Sequence, residues 1–139
     1  MKKIYFAGPL FSKGEKDFNL SVASILEKAG YTVFLPQRDG YEAAVLKNKS
    51  QSEKINLIFD KDVSEIKNCD ILFMVLDGRV PDDGACVELG IAYALGKKCY
   101  GLKTDTRSLQ INMDLNPLIA GCFEKIYYDL KEFQYDLKV

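Results

Sequence analysis

The sequence predicts an α/β fold in which a five-stranded parallel sheet is covered by helices on both faces. Short β-branched and aromatic runs alternate with longer stretches whose apolar residues recur at helical spacing. The run from Ile71 to Leu76 is apolar at every position, as expected for a strand buried on both faces. The chain has 139 residues, the length of one ordinary domain, so we expect residues 1–139 to form a single domain.

The elements of the amino-terminal half follow in order. Lys3 to Ala7 is predicted as the first strand, because this β-rich run stops at Gly8 and Pro9. A helix is predicted from about Glu15 to Ala29, where apolar residues recur at helical spacing before a glycine. Tyr31 to Leu35 is the second strand, and a polar loop and a weakly patterned stretch follow it.

Two further helices are predicted on either side of the apolar strand. The earlier one is marked by a helical stripe of Ile55, Ile58, Phe59, Val63 and Ile66. The later one covers Gly84 to Leu95, and we expect its buried face to consist of Val87, Ile91, Ala94 and Leu95.

The carboxyl-terminal part supplies the last two strands. Lys98 to Leu102 and Lys125 to Tyr128 are predicted strands, with irregular structure over 103–122 and a helical tail from Asp129. Right-handed crossovers between parallel strands place helices on both faces, and ligands bind beyond the carboxyl ends of the strands. We therefore expect the functional site in the segments that follow the first three strands.

Composition narrows the chemistry that such a site can perform. The chain contains no histidine, which excludes Ser-His-Asp triads, histidine-ligated zinc and imidazole acid–base catalysis. Its four cysteines are widely spaced, without the C-x-x-C pattern of a zinc knuckle or redox dithiol. Catalysis must then rest on carboxylates, tyrosine, lysine, cysteine or backbone dipoles, and we expect neither a metal nor a cofactor.

Charge and hydropathy indicate which partners to expect. The net charge is −1, without the basic excess typical of proteins that bind a nucleic acid polymer. The longest apolar run is too short to span a bilayer, so no membrane partner is expected. The amino terminus has two lysines and a short apolar run broken by Gly8 and Pro9. We interpret it as a strand rather than a signal peptide, and expect a cytoplasmic protein with reduced thiols.

The segment from Asp77 to Glu88 is the richest in candidate chemistry. Four carboxylates, Asp77, Asp82, Asp83 and Glu88, lie within twelve residues, just after the most buried strand and at the start of a helix. We favour Asp83 as the cap of that helix. Glu88 flanks the apolar stripe and is expected to point toward the ligand edge. The helix terminus favours its ionised form, whereas neighbouring aspartates raise its pKa, so sequence leaves the balance open.

Two positions outside that segment also carry candidate chemistry. Asp62 lies at the margin of a buried helical stripe, which indicates either a salt bridge to Lys61 or Lys67 or a functional carboxyl. Gly8 ends the first strand and would allow a ligand to approach the backbone closely, although no phosphate-binding glycine motif is present. Tyr5 lies in mid-strand, where a tyrosine is by default a core residue.

Four motifs in order resemble one known family. They are KIYFAGPLF, NCDILFMVLDG, PDDGACVELGIAYALGK and NPLI, and they span roughly Lys2 to Ile119. In this order and at these distances they are similar to the nucleoside 2-deoxyribosyltransferases. The resemblance implies a flavodoxin-like (Rossmann-like) fold. It also implies an enzyme that moves a 2-deoxyribosyl group between nucleobases through a covalent glycosyl-glutamate.

The resemblance assigns roles to residues of this sequence. It implies that Glu88 attacks the anomeric carbon, that Tyr5 holds Glu88 in position, and that Asp62 protonates the departing base. It further implies that Asp82 binds the sugar hydroxyls. An asparagine of a neighbouring subunit also binds the sugar, and we choose Asn116, with Asn112 as the alternative. Gln37 and Phe11 match positions that line the base pocket.

The implied mechanism agrees with the composition. Retaining glycosyl transfer needs two carboxyl groups around an oxocarbenium-like transition state, and neither a metal nor histidine. Its partners are small deoxynucleosides and free nucleobases, with purine or pyrimidine preference left open. Water must be excluded for transfer to outpace hydrolysis, so we expect a homo-oligomer with shared active sites.

Two other functions remain open at this point. The first is a related hydrolase that cleaves deoxynucleoside 5′-monophosphates and holds the phosphate in a Ser- and Arg-rich loop after the first strand. Here the loop reads GPLFSKGEKDF, in which Ser12, Lys13 and Lys16 could touch a phosphate but arginine is missing, so we favour the transferase. The second is a non-catalytic nucleotide-binding module on the same scaffold.

Overall fold

A five-stranded, all-parallel sheet lies at the centre of the structure, with the strand order β2-β1-β3-β4-β5. The computed structural model describes residues 1–107 and 114–136. The strands are β1 (Lys3–Ala7), β2 (Thr32–Phe34), β3 (Ile71–Val75), β4 (Lys98–Leu102) and β5 (Lys125–Tyr127). The predicted five-stranded parallel sheet is confirmed, and each predicted strand lies within two residues of its observed limits.

The helices are α1 (Lys13–Lys28), α2 (Pro36–Asp39), α3 (Ala43–Leu46), α4 (Gln51–Asn68), α5 (Asp83–Ala94), α6 (Pro117–Ala120) and α7 (Leu130–Asp136). The periodicity predicts α1, α4, α5 and α7. It misses α2, α3 and α6, because a single turn is too short to show a helical period. None of the described helices is long and apolar enough to cross a membrane.

Alternation along β1 divides the core into two layers. Ile4 and Phe6 face a cluster that includes side chains of α1 and α7, whereas Tyr5 and Ala7 face a cluster with side chains of α4 and α5. Helices therefore cover both faces, as the sequence predicts. The strand places Tyr5 on the same side of the sheet as the two helices that carry Asp62 and Glu88.

The buried face of α5 differs from the prediction. Ala85, Leu89 and Ala92 face the core, whereas Val87, Ala94 and Leu95 are exposed and Ile91 is only partly buried. The helix is apolar around most of its circumference, so periodicity alone does not select a face. The small alanine side chains allow the helix to pack closely against the sheet. Because Glu88 lies three residues after Ala85, it belongs to the sheet-facing side rather than to its margin.

The predicted stripe on α4 is also largely exposed. Ile66 is fully buried near the carboxyl end of the helix, but Ile55, Ile58 and Phe59 are 58%, 43% and 57% exposed. Helical spacing correctly identifies the helix but does not show which part of its apolar stripe the sheet covers. An apolar surface next to Asp62 is therefore left open.

Gly8 takes a backbone conformation that favours glycine, with φ of +147°. A Cβ atom there would lie 3.0 Å from Val75 Cβ and 3.2 Å from Val75 O. The group that approaches Gly8 in the structure is thus the end of β3, and a ligand contact at Gly8 stays a prediction.

Gly8→Ala should lower the free energy of unfolding by about 1–3 kcal/mol, because it adds both backbone strain and a steric overlap. Urea unfolding measures the loss. Gly14→Ala is the matched control, since a Cβ at Gly14 meets only Ser12 Oγ, at 4.0 Å. Equal losses in the two variants would contradict this account of Gly8.

Candidate active site

Four of the residues that the sequence singles out lie together in the structure. Tyr5 comes from β1, Asp62 from α4, Asp82 from the start of α5, and Glu88 from the following turn of α5. Asp62 and Glu88 line one cavity of about 430 Å³ between α4 and α5. The charges of Asp62 and Asp82 both raise the pKa of Glu88, which shows that the three carboxyls are close together.

Tyr5 is fully buried, and its ring stacks on Phe34 with 5.5 Å between ring centres. Its hydroxyl forms no hydrogen bond of ordinary geometry with the described part of the chain. Burial is the largest cause that raises the pKa of this hydroxyl, and the nearby charges of Glu88 and Asp62 raise it further. A buried hydroxyl left unpaired costs about 1–3 kcal/mol, so a donor is available here to whichever carboxyl is ionised.

Burial raises the pKa of Glu88 to about 8, and the charge of Asp62 adds to the shift. The Tyr5 hydroxyl acts in the opposite direction, because it stabilises the charged carboxylate. The balance that the sequence leaves open is thus decided mainly by desolvation, which raises the pKa of Glu88.

Asp62 has a raised pKa for the same main reason, burial, although Lys61 and Tyr5 partly offset it. Two interacting carboxyls with raised pKa values titrate as a pair and share protons. Such a pair can supply one carboxylate and one carboxylic acid at the same time, as a retaining glycosyl transfer requires.

The cap of α5 is Asp82 and not Asp83, which corrects the prediction. Asp82 Oδ2 accepts a hydrogen bond of 2.9 Å from the backbone N–H of Ala85. Asp83 is already the first helical residue, so its side chain cannot serve the capping position. Capping occupies one oxygen of Asp82, and Oδ1 has no hydrogen bond with the residues that the structure describes.

The salt bridge considered for Asp62 does not form. Within residues 1–107 and 114–136, neither Lys61 nor Lys67 makes an ion pair with this carboxyl. Asp62 instead lines the cavity that it shares with Glu88. The structure therefore gives no ion-pairing reason for a half-buried carboxyl at this position.

Both polar atoms of the Gln37 side-chain amide form hydrogen bonds with residues of α1. Its Oε1 accepts from Asn19 Nδ2 at 3.0 Å, and its Nε2 donates to Lys16 O at 3.0 Å. Asn19 is buried and also donates to Pro9 O at 2.8 Å, so it joins Gln37 to the loop after β1. Sequence reasoning misses Asn19. A polar residue one turn before Val22 on the buried stripe is the signal that could have identified it.

Phe11 and Asn116 are not brought to this cluster. Phe11 is 74% exposed, and Asn116 caps α6 through a 2.9 Å hydrogen bond from the Leu118 N–H to its Oδ1. Neither is among the described residues that line the cavity, and Asn112 lies outside the described residues. Their roles in binding the base and the sugar stay predictions.

The site has no grouping suited to a metal among the residues described: no three Asp, Glu or Cys side chains lie in a ligating arrangement. What it offers is hydrogen-bonding and acid–base chemistry from three carboxyls and one phenol. This places the protein in the class of flavodoxin-like α/β domains that carry a carboxylate-based site at the sheet edge.

A family model described as nucleoside 2-deoxyribosyltransferase matches residues 4–132. The chain therefore belongs to the nucleoside 2-deoxyribosyltransferase family, an enzyme family, and the resemblance noted in the sequence is confirmed. No curated protein sequence matches the chain.

Solved structures agree with this membership. A conserved protein from Enterococcus faecalis V583 is 26% identical, with a TM-score of 0.84 over 99% of this chain and 98% of that one. A 2-deoxyribosyltransferase from Bacillus psychrosaccharolyticus is 25% identical, with a TM-score of 0.77 over 95% and 90%. A CMP N-glycosidase from Clostridium botulinum, BcmB, shares the fold at 22% identity and a TM-score of 0.60 over 99% and 100%.

Glu88→Gln should change how stability depends on pH. The pKa of Glu88 is about 8 in the folded protein against an ordinary 4.5, so the folded state holds the proton more tightly. The free energy of unfolding should then fall as pH rises from about 4.5 to 8. Removing the ionisable group should make the variant more stable than the wild type at pH 8, by an amount on the order of a few kcal/mol.

Urea unfolding at several pH values measures this difference, which should vanish near pH 4.5. Glu42→Gln, at an exposed glutamate, is the control and should leave the pH dependence of stability as it is in the wild type. A Glu88→Gln variant that is destabilised equally at every pH would rule out a desolvated carboxyl at this position.

Proposed function

We propose that the protein transfers a 2-deoxyribosyl group from one nucleobase to another, with Glu88 as the covalent nucleophile. The observation that supports this most is that Asp62 and Glu88 line one cavity, with the buried Tyr5 hydroxyl close to both, in a chain of the deoxyribosyltransferase family. The substrates are small deoxynucleosides and free nucleobases.

In the first half-reaction, an ionised oxygen of Glu88 forms a bond to the anomeric carbon C1′ of the sugar. The electron pair of the C1′–N bond moves to the base nitrogen, which takes the proton of Asp62. The Tyr5 hydroxyl donates a hydrogen bond to the Glu88 carboxylate, and Asp82 accepts from a sugar hydroxyl. Positive charge that develops on the sugar favours the ionised form of Glu88, against the burial that raises its pKa.

In the second half-reaction, the nitrogen of an incoming base attacks C1′ and the ester bond to Glu88 breaks. Asp62, which gave up its proton in the first step, takes the proton of the incoming base. Two displacements at C1′ leave its configuration retained. Each carboxyl thus returns to its starting protonation state without a metal or another acid.

The loop after β1 favours the transferase over a 5′-monophosphate glycosidase. Ser12 Oγ accepts from the Glu15 N–H at 3.1 Å, and Glu15 Oε1 accepts from the Ser12 N–H at 2.7 Å, so the start of α1 is capped by its own side chains. Lys13 is exposed and pairs with Asp17 at 2.5 Å. Arg107, which lines a cavity together with Ser12, is paired with Asp105. Because these groups are engaged within the protein, we favour nucleosides over nucleotides.

A second copy of the chain would complete the site. The α4–α5 apolar face, which we define as Ile55, Ile58, Phe59, Val63, Val87 and Ile91, lines the same cavity as Asp62 and Glu88. Phe59 and Val87 on this face are 57% and 59% exposed. Because this surface is continuous with the catalytic carboxyls, we propose that a homo-oligomer covers it, shares its active sites between subunits and excludes water from the ester.

Base exchange tests the proposed reaction. Incubation with deoxyinosine and adenine should yield deoxyadenosine and hypoxanthine, measured by chromatography, and Glu88→Gln should lower the rate at least about a thousandfold. A 2′-fluoro-2′-deoxynucleoside, whose sugar fluorine slows breakdown of the ester, should add one fluorinated sugar mass to the peptide that contains Glu88.

The same chromatographic assay, run also with a nucleotide and without an acceptor base, separates the alternative functions. Free deoxyribose 5-phosphate released from a nucleotide without an acceptor base would support the hydrolase instead. Binding of nucleosides without any base release would support a non-catalytic module. An unmodified Glu88 peptide in the active wild type would overturn nucleophilic catalysis by this residue.

Phe59→Glu tests the oligomer. A carboxylate in the middle of the α4–α5 apolar face should prevent the variant from forming the oligomer that the wild type forms, as measured by light scattering after gel filtration. The variant should also hydrolyse more of its substrate relative to transfer. Tyr128→Glu, at an aromatic residue that is 53% exposed elsewhere, is the matched control and should leave the mass unchanged. A monomeric wild type at micromolar concentration would exclude shared active sites.

A further inference from the structure

Lys61 precedes Asp62 on α4, and its side chain is half-buried beside aromatic rings. Its Nζ atom lies 4.9 Å from the centre of the Tyr41 ring and 6.0 Å from the centre of the Phe34 ring. Phe34 in turn stacks on Tyr5, with 5.5 Å between the ring centres. The ammonium group is therefore held at one side of the catalytic cluster by contacts that favour a fixed position.

The Lys61 ammonium has no counter-ion in the part of the chain that the structure describes. Its charge lowers the pKa of Asp39 and of Asp62, so both carboxyls are near it. Asp39 is already engaged, because its oxygens accept from Arg38 Nε at 2.9 Å and from the Leu35 N–H at 2.8 Å. A partly desolvated cation with unfilled donors thus lies next to the proposed acid.

The donors of Lys61 discriminate between two chemical classes of nucleobase. An ammonium group has three donors and no acceptor, so it binds an exocyclic oxygen but not an exocyclic amino group. Hypoxanthine and uracil present an oxygen where adenine and cytosine present an amino group.

The same cation also acts on the departing base. When the C1′–N bond breaks, its electron pair moves to the base nitrogen and spreads onto the exocyclic oxygen of an oxo-base. A fixed ammonium beside that oxygen stabilises the developing charge until the proton of Asp62 reaches the nitrogen.

We propose that Lys61 is a specificity-determining residue, which binds the exocyclic oxygen of oxo-nucleobases and makes the enzyme favour them over amino-nucleobases. This inference rests on the proposed function, in which Asp62 contacts the base. It assigns the selectivity between nucleobases to Lys61, the residue next to Asp62, and it does not change the proposed roles of Glu88 and Asp62.

The test compares donors that differ in this group and in the proton on the adjacent ring nitrogen: deoxyinosine against deoxyadenosine, and deoxyuridine against deoxycytidine. The acceptor throughout is unsubstituted purine, which carries neither group. Lys61→Met keeps the aliphatic stem over the aromatic rings and removes the charge. It should lower kcat/KM about tenfold for the oxo donors, as expected for a lost hydrogen bond to a charged group, and less than about twofold for the amino donors.

Lys61→Arg should restore most of the oxo-to-amino ratio, because it restores the charge and the donors. Lys67→Met, an exposed lysine of the same helix, should leave the ratio unchanged. An unchanged ratio in Lys61→Met, or equal losses for both classes of donor, would overturn the role of Lys61 while the transferase stands. If the wild type acts on none of the four donors, the proposed function fails and this inference fails with it.

Discussion

The desolvation of Glu88 is the constraint on which the rest of the site depends. A carboxyl taken out of water favours its neutral form, and the pKa of about 8 reflects this together with the repulsion from Asp62. In the proposed reaction the same carboxyl must become an anion as the sugar gains positive charge. A buried carboxyl is costly to ionise in the empty site and strongly favourable to ionise beside an oxocarbenium-like sugar, so its charge is stabilised mainly in the transition state.

The fold produces this arrangement through the geometry of β1 and α5. Alternation along β1 turns Tyr5 toward α4 and α5 while its neighbours pack on the opposite layer. Ala85 and Ala92 on α5 have small side chains at the sheet, so the helix approaches closely and brings Glu88 to the Tyr5 hydroxyl. Stacking on Phe34 fixes the Tyr5 ring. The position of Glu88 therefore depends on the small side-chain volume at the buried face of α5.

The sequence predicts the architecture better than it predicts which faces are buried. A continuous apolar run such as β3 indicates a strand that is buried on both faces of the sheet. The alternation of strands and helices along the chain then predicts that the sheet is parallel. The helix α5 is apolar nearly all round, so its buried face depends on contacts distant in sequence, and the choice of Val87 over Ala85 was wrong for that reason. Asp82 and Asp83 are equally good caps by residue type, and only backbone conformation separates them. The contacts of Lys61 with aromatic rings depend on residues distant in sequence, which periodicity cannot detect, whereas the polar position of Asn19 on a buried helical stripe is a signal that the sequence does contain.

Transfer and hydrolysis begin with the same bond rupture, so the carboxyl pair alone does not separate them. In the proposed mechanism both outcomes pass through the ester on Glu88, and the difference is whether a base or water reaches C1′ next. The cavity beside Glu88 is lined mainly by aliphatic side chains and Phe59, which hold water poorly and pack well against a flat base. This lining, together with the subunit proposed to cover it, disfavours water as the acceptor. In this proposal, apolar residues that take no part in the bond changes help to decide whether a base or water is the acceptor, and a comparison of the carboxyl groups alone would not identify them.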